Sequence, residues 1–219
     1  MRVGLISDLH GNLPALEAVL EDMPPVDAML CAGDVVGYYP WPGACVDEMR
    51  DRDVPTVMGN HDRATTGATP FAFRGSAQAG IAYAKEHLDA EQLAWLRALP
   101  DDRVELDGRV RVVHGHPLDP DRYTYPEEVS PAILMDEPVL VLGHTHVQFE
   151  RAVDGGLVVN PGSVGQPRDD DPRAAYAVLD PEALEVQLHR VSYDIERTQA
   201  AVHEAGLPAS LASRLAVGH

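Results

Sequence analysis

Five short clusters of Asp, His and Asn, each standing where an apolar run ends, constrain this chain more than any other feature. Asp8-x-His10 follows the run 3–6, and Gly33-Asp34 follows 27–32. Gly59-Asn60-His61-Asp62 follows 54–58, His114-Gly115-His116 follows 109–113, and Gly143-His144-Thr145-His146 follows 139–142. Short apolar runs of this kind have strand character. Open α/β sheets bind ligands in the crevice at the carboxyl ends of their strands, so residues far apart in sequence are expected to converge on one site.

The first half alternates strand and helix patterns. After 3–6 comes a helix capped by Asn12 and running to Glu21, with Leu13, Leu16, Val19 and Leu20 on one face. The run 27–32, a helix after Pro42 and the run 54–58 complete the alternation, which predicts an α/β fold with parallel strands. Residues 75–99 read as two helices. The second half is richer in strands: 103–106 and 109–113 flank Asp107-Gly108, a hairpin signal. Runs at 139–142, 147–153, 157–159, 174–179 and 184–191 follow, and 207–217 predicts a terminal helix. No repeat or linker interrupts the 219 residues, so residues 1–219 are expected to form one domain.

Asp, His and Asn supply oxygen and imidazole donors, the set suited to Mn, Fe, Zn, Co or Ni. Neither Cys31 nor Cys45 joins a cluster, which argues against a thiolate-held structural zinc, and two thiols make no disulfide framework. In an extended backbone residues two apart point the same way, so Asp8 with His10, and His144 with His146, are each expected to grip one ion. Gly33, Gly59 and Gly143 directly precede candidate donors, where a missing Cβ permits a sharp turn or a close approach. Any one cluster alone is an ordinary turn or surface pair; five in sequence, each at a strand end, are not.

With 35 acidic against 17 basic residues the net charge is −18, and only Lys85 is a lysine. Such a surface repels phosphate backbones, so duplex nucleic acid and anionic membranes are not expected partners. No apolar run is long enough to span a bilayer and the N-terminus lacks a signal-peptide layout, which predicts a cytoplasmic protein. Tyr38, Tyr39 and Trp41 after Asp34, and Tyr123 and Tyr125 after His114, read either as base-stacking groups or as packed loop residues. Arg168 reads either as a fork-shaped phosphate donor or as an ion-pair partner of Asp169–Asp171.

Asp8-x-His10, Gly33-Asp34, Gly59-Asn60-His61-Asp62, His114 and Gly143-His144-x-His146 together resemble the calcineurin-like metallophosphoesterase superfamily. Residues 6–12 and 160–168 look like its small single-domain prokaryotic branch, which includes YfcE-type phosphodiesterases and asymmetric diadenosine tetraphosphate hydrolases. The resemblance implies a four-layer αββα sandwich of two mixed β-sheets flanked by helices. It implies two divalent metal ions, manganese foremost, with Fe, Zn, Ni or Co as other occupants. Asp8, His10, Asp34 and His146 would hold one ion; Asp34 would bridge to a second, completed by Asn60, His114 and His144. His61 would stand near the leaving group, oriented or polarised by Asp62. The family often has a small residue two after His114, where this chain has His116. His114 directly ends its strand and is the favoured ligand, leaving His116 on the rim beside substrate. The implied activity is hydrolysis of phosphodiester or phosphoanhydride bonds of small, nucleotide-like substrates by a metal-bridging hydroxide. Phosphomonoester hydrolysis and a non-catalytic scaffold are the alternatives. Two divalent ions carry four positive charges and Asp8 and Asp34 cancel two, so the site stays locally cationic inside an acidic molecule and can hold a phosphate.

Overall fold

The computed structural model describes residues 1–68 and 73–219. β1 (Val3–Ile6) pairs in parallel with β2 (Ala28–Cys31), as expected for strands joined through a helix, here α1 (Leu13–Asp22). On its other side β1 pairs antiparallel with β8 (Ala174–Asp180), which pairs antiparallel with β9 (Glu185–Val191). The second sheet runs β3 (Asp102–Glu105), β4 (Val110–Val113), β5 (Val139–Val141), β7 (Gly156–Asn160), β6 (Phe149–Val153). Its three inner strands are parallel and both edge strands are antiparallel hairpin partners. Both sheets are therefore mixed. The predicted turn at Asp107-Gly108 joins β3 to β4, with both residues at positive φ (56° and 85°), the conformation a two-residue hairpin requires.

The sheets pack face to face. Val3, Leu5 and Leu30 of one meet Val112, Val141 and Val159 of the other in an apolar cluster. On the outer face of the first sheet Ile6, Cys31 and Tyr176 pack against α1, α2 (Pro42–Asp51), α4 (Gly75–His87) and α5 (Ala90–Ala98). Over the second sheet the outer layer is thin: two single 3-10 turns at Pro126–Glu128 and Pro131–Ile133 place Val129, Ile133 and Leu134 on Leu140, Phe149 and Val158. Among the described residues no helix is long and apolar enough to cross a membrane.

Three segments depart from the sequence reading. The run 54–58 forms a single parallel bridge, Cys31 to Thr56, rather than a third strand. Pro55 has no N–H to extend the ladder, and Met58 donates its N–H to Pro100 O, away from β2. Directly after it lies α3 (Asn60–Thr66), a helix absent from the sequence reading, capped by Asp62 through the Gly59 N–H at 3.1 Å. Near the C-terminus α6 (Ile195–Glu204), which the sequence reading lacks, joins the expected terminal helix α7 (Ala209–Leu215). Together they bury Val202, Leu211 and Leu215 against Tyr38 and Tyr39. Asn12 precedes α1 but caps nothing. Its amide donates to Gly165 O at 2.8 Å and accepts from Thr198 Oγ1 at 3.0 Å, tying three distant segments together.

Leu5 is fully buried between the sheets. Leu5→Ala is expected to cost about 2–5 kcal/mol, seen as a lower urea midpoint at unchanged slope. A loss below about 1 kcal/mol would show that this layer does not carry the fold.

Candidate metal centre

The parallel strands of both sheets aim their carboxyl ends at one edge of the sandwich, and the chain turns sharply there. Asp8, His10, Asp34, His144 and His146 all have left-handed backbones, with φ between 52° and 67°. For residues other than glycine this conformation costs about 1–3 kcal/mol each and persists only where surrounding structure enforces it. The enforcement is visible. Asp8 N–H donates to Gly33 O, His10 N–H to Asp34 O and Gly11 N–H to Val35 O, each at 2.9 Å, so the first two loops lace together. Asp8 and His10 converge through left-handed turns, not through the extended alternation that their spacing suggested, whereas His144 and His146, expected to grip one ion, face different partners: His146 faces His10 and His144 faces His114. The glycines permit close approach: a Cβ on Gly59 would lie 2.0 Å from Asp34 Oδ1, and one on Gly143 would lie 2.1 Å from Ser7 Oγ.

Each histidine spends one ring nitrogen on a backbone carbonyl. His114 Nδ1 is 2.7 Å from Ala32 O, His146 Nδ1 is 2.5 Å from Gln166 O, and His10 Nδ1 is 3.3 Å from Val36 O. His144 uses its other nitrogen, Nε2, 3.0 Å from Asp121 O. A carbonyl only accepts, so in each neutral ring that nitrogen carries the hydrogen and the opposite one presents a lone pair. Those lone pairs face one another: His10 Nε2 and His146 Nε2 are 3.0 Å apart, and His114 Nε2 and His144 Nδ1 are 3.1 Å apart.

The carboxylates repeat the arrangement. Asp8 Oδ2 accepts from Ser7 Oγ at 2.7 Å and from the His144 N–H at 3.0 Å. Its Oδ1 is buried, has no hydrogen-bond partner, and lies 3.2 Å from His146 Nε2 and 3.7 Å from His10 Nε2. Asp34 Oδ1 accepts the His61 N–H at 2.8 Å, whereas Oδ2 stands 3.7 Å from His10 Nε2 and 3.4 Å from His114 Nε2, between the two histidine pairs. Asn60 Oδ1 is 3.1 Å from His114 Nε2. Metal–ligand bonds of about 2.0–2.2 Å at 90–110° separate neighbouring donors by about 3.0–3.5 Å. Facing lone pairs of the neutral rings and an orphaned buried carboxylate oxygen at these spacings fit cations. Asp8, His10 and His146 form one such group, and Asp8, Asp34 and His114 another. His61 joins His10 and Asp34 in a third.

Without cations the groups titrate against one another. Burial alone would raise the Asp8 and Asp34 carboxyls, but facing imidazoles, His146 for Asp8 and His114 for Asp34, hold both below the usual range. Burial likewise opposes a charge on His114, yet the Asp34 carboxylate outweighs it and raises His114 to about 9. Burial dominates elsewhere, lowering His144 to about 3 and His61 to about 4, and lowering His10 and His146.

A cleft of about 190 Å³ opens onto this cluster, lined by Asp34, Asn60, His61, His144 and His146 together with Tyr38, Phe73, Tyr123 and Arg168. A larger groove of about 990 Å³ lies at the amino end of β1 between β6 and β9; it gathers the mixed charges of Arg2, Glu150, Arg151 and Asp180 and no histidine. Arg168 faces the smaller cleft. Its guanidinium contacts Gln166 Oε1 at 2.9 Å and Tyr38 OH at 3.2 Å. The ion-pair alternative does not occur: Asp169 pairs with Arg190 and Asp171 with Arg173. Tyr38 and Tyr39 are buried, so the packed reading holds for them. His116 is not part of the lining, and its Nδ1 accepts the Leu118 N–H at 3.1 Å.

Asp62 does not reach the His61 ring. Its two oxygens accept the N–H groups of Val36 and Gly59, both at 3.1 Å, while His61 Nδ1 is buried without a partner. Burial and the nearby Asp34 charge push the Asp62 carboxyl up to about 7. Its place is structural: it fixes the start of α3 and so the positions of Asn60 and His61. Sequence reasoning missed the supports beneath the donors. Asn160 donates to Gly143 O at 2.8 Å, and Ser163 Oγ donates to Asp8 O at 2.7 Å. Arg63 bonds Asp121 and Asp101, both at 2.7 Å, holding the segment whose Asp121 carbonyl orients His144. The 160–168 motif marked the first two; nothing local marked Arg63.

The calcineurin-like phosphoesterase superfamily domain matches residues 1–183. The crystal structure of a metallophosphoesterase from Sphaerobacter thermophilus superposes with a TM-score of 0.89, covering 100% of this chain and 99% of that one, at 40% identity. An uncharacterized protein of Methanocaldococcus jannaschii is 31% identical over 239 residues, 99% of this chain and 98% of its own. Phosphodiesterase YfcE of Escherichia coli is 28% identical over 188 residues, 85% of this chain and 91% of its own. Matches of this extent define the class, a metal-dependent phosphoester hydrolase. The chain belongs to the calcineurin-like phosphoesterase superfamily.

The His114 shift sets a pH dependence for metal-free protein. A histidine held at about 9 when folded, against 6.5, stabilises the fold fully below pH 6.5 and loses that stabilisation as pH rises to 9. The depressed histidines act oppositely, but their effect is complete by pH 6.5. Chelated protein is therefore expected to lose stability between pH 7 and 9 in urea melts, and His114→Ala to flatten that decline. An unchanged decline in the variant would assign it elsewhere.

Proposed function

We propose that this protein hydrolyses phosphodiester or phosphoanhydride bonds of small, nucleotide-like substrates at a pair of divalent ions. Manganese is the foremost candidate, with Fe, Zn, Ni or Co as other occupants. The observation that carries this reading is the double set of facing lone pairs. Asp8, His10 and His146 supply one set, Asn60, His114 and His144 the other, and Asp34 Oδ2 lies between them. Bound there, two divalent cations would neutralise phosphate oxygens and lower the pKa of water. Similarity to a protein named as a phosphodiesterase supports the diester over the monoester. Residues 1–219 are taken as one functional unit, since α6 and α7 pack on Tyr38 and Tyr39 beside the cleft. Both cysteines are buried and unpaired, which fits a reducing cytoplasm.

The chain's own groups have separable tasks. Arg168 has no carboxylate partner among the described residues and retains guanidinium donors for a substrate phosphate, a site where a fork-shaped cation is favoured. Tyr38 OH and Gln166 hold that guanidinium in place. His61 lines the cleft with its ring packed against Tyr38, His10 and Phe73, at centroid distances of 4.5, 4.8 and 5.0 Å. Burial keeps the ring neutral rather than a standing imidazolium, and a phosphate anion beside it opposes that shift. Charged as the imidazolium when that anion is bound, His61 would donate its proton to the departing oxygen and be left as the neutral ring.

Purified protein loaded with Mn²⁺, at low and high salt, is expected to turn over bis-nitrophenyl phosphate or diadenosine tetraphosphate, with activity lost on chelation. Asp34→Ala is expected to reduce bound metal and to lower turnover at least about 100-fold, because even outer contacts to metal ligands are worth 10–100-fold. Turnover of nitrophenyl phosphate alone would make the protein a phosphomonoesterase. Silence on all three substrates with no metal bound would favour a scaffold. For the proton donor, His61→Ala is expected to cost about 10²–10⁴-fold with alkoxide leaving groups and far less with nitrophenolate. Equal losses with both would remove His61 from that step.

A further inference from the structure

We propose that Tyr123 and Tyr125 form a stacking platform at the mouth of the metal centre that selects phosphoesters carrying a nucleobase. The inference rests on the phosphoester reading and deepens it. Among the described residues, the only exposed Phe, Trp or Tyr side chains are Tyr123 and Tyr125, 45% and 39% exposed. Tyr123 lies in the cleft that reaches the candidate ligands, and Tyr125 lies next to Tyr123. Tyr123 lines that cleft with Asp34, Asn60 and Arg168 and stacks on His144, with centroids 4.0 Å apart and planes 24° apart. Tyr125 lies parallel to Tyr123, at 6.2 Å and 11°. The two rings continue a stack that begins at His144.

The segment that carries them is fastened rather than loose. Thr124 Oγ1 donates to Gly115 O at 2.9 Å, and the Tyr125 N–H donates to Glu128 Oε2 at 2.9 Å. Arg63 holds Asp121 two residues before Tyr123. An anchored, solvent-facing aromatic pair offers a face to a planar group without an ordering cost on binding. The other aromatic candidates are spent: Tyr38 and Tyr39 are buried, and Phe73 packs on His61. A phosphate held between the metal centre and Arg168 places its ester substituent at the cleft mouth, where these rings are. The strongly acidic surface excludes long phosphate backbones, so the nucleobase enters as part of a small nucleotide.

Binding separates this proposal from the activity. Affinities of adenosine 5′-monophosphate and ribose 5-phosphate for Mn²⁺-loaded protein are measured by calorimetry; the ligands share a phosphate and a sugar and differ in the base. The nucleotide is expected to bind about 5- to 150-fold tighter, the range that base–aromatic stacking supplies. Tyr125→Ala, which touches no candidate ligand, is expected to bring that ratio towards one, and Tyr125→Phe to keep it. Equal affinities in the unmodified protein, or a ratio unchanged in Tyr125→Ala, would overturn the platform and leave the phosphoester reading intact. Failure to bind either ligand, with no turnover of any phosphoester, would overturn both.

Discussion

The site depends on one constraint: imidazoles are turned so that lone pair meets lone pair, and backbone carbonyls do the turning. Ala32 O, Val36 O, Asp121 O and Gln166 O each occupy one nitrogen of a histidine. Those carbonyls belong to three segments, the loop after β2 and the stretches at Asp121 and Gln166, that meet only in the folded state. Asp8 and Asp34 follow the same logic with oxygens, one bonded to the protein and one held free. The repulsion built into the pocket is the measure of its readiness for cations. The two-sheet sandwich serves this end by bringing the carboxyl ends of β1 and β2 against those of β4 and β5.

Strain and support are distributed to match. Five of the seven candidate ligands sit in left-handed backbone. A β-branched residue would be penalised at each of them, and no single one could relax without pulling on a neighbouring loop through the Asp8–Gly33 and His10–Asp34 bonds. Asp62, which the motif suggested as a partner of the His61 ring, belongs to this scaffolding. Its carboxylate closes the N-terminus of α3 onto the loop at Val36.

Much of this was legible in the sequence, for definite reasons. Apolar runs that stop at a donor residue, with Gly33 and Gly143 intervening before Asp34 and His144, announce strand ends, so the placement of Asp8, Asp34, His114 and His144 could be read from local pattern. The departures come from long-range effects. Residues 54–58 look like a strand because Val54, Val57 and Met58 are apolar, but Pro55 and the bond from Met58 to Pro100 limit them to one bridge. The helix α6 buries only Thr198 and Val202, too little apolar spacing to signal a helix. Strand geometry assigns His144 and His146 to one ion, but periodicity reports which way side chains point, not the sign of φ, and left-handed turns send the two rings to different partners. Arg63 and Asp121, 58 residues apart, carry no local signal at all.

The tail of the chain enters this account through Tyr39. Its hydroxyl donates to Leu211 O of α7 at 3.3 Å and accepts from Gln166 Nε2 at 3.1 Å, and Gln166 O orients His146. One relay of contacts thus runs from the last helix to a ring beside Asp8. During synthesis on the ribosome, the residues near position 10 emerge first and must wait for position 211 before that relay closes. The orientation of His146 therefore depends on a contact with a helix far from it in sequence, and is complete only once that helix is in place.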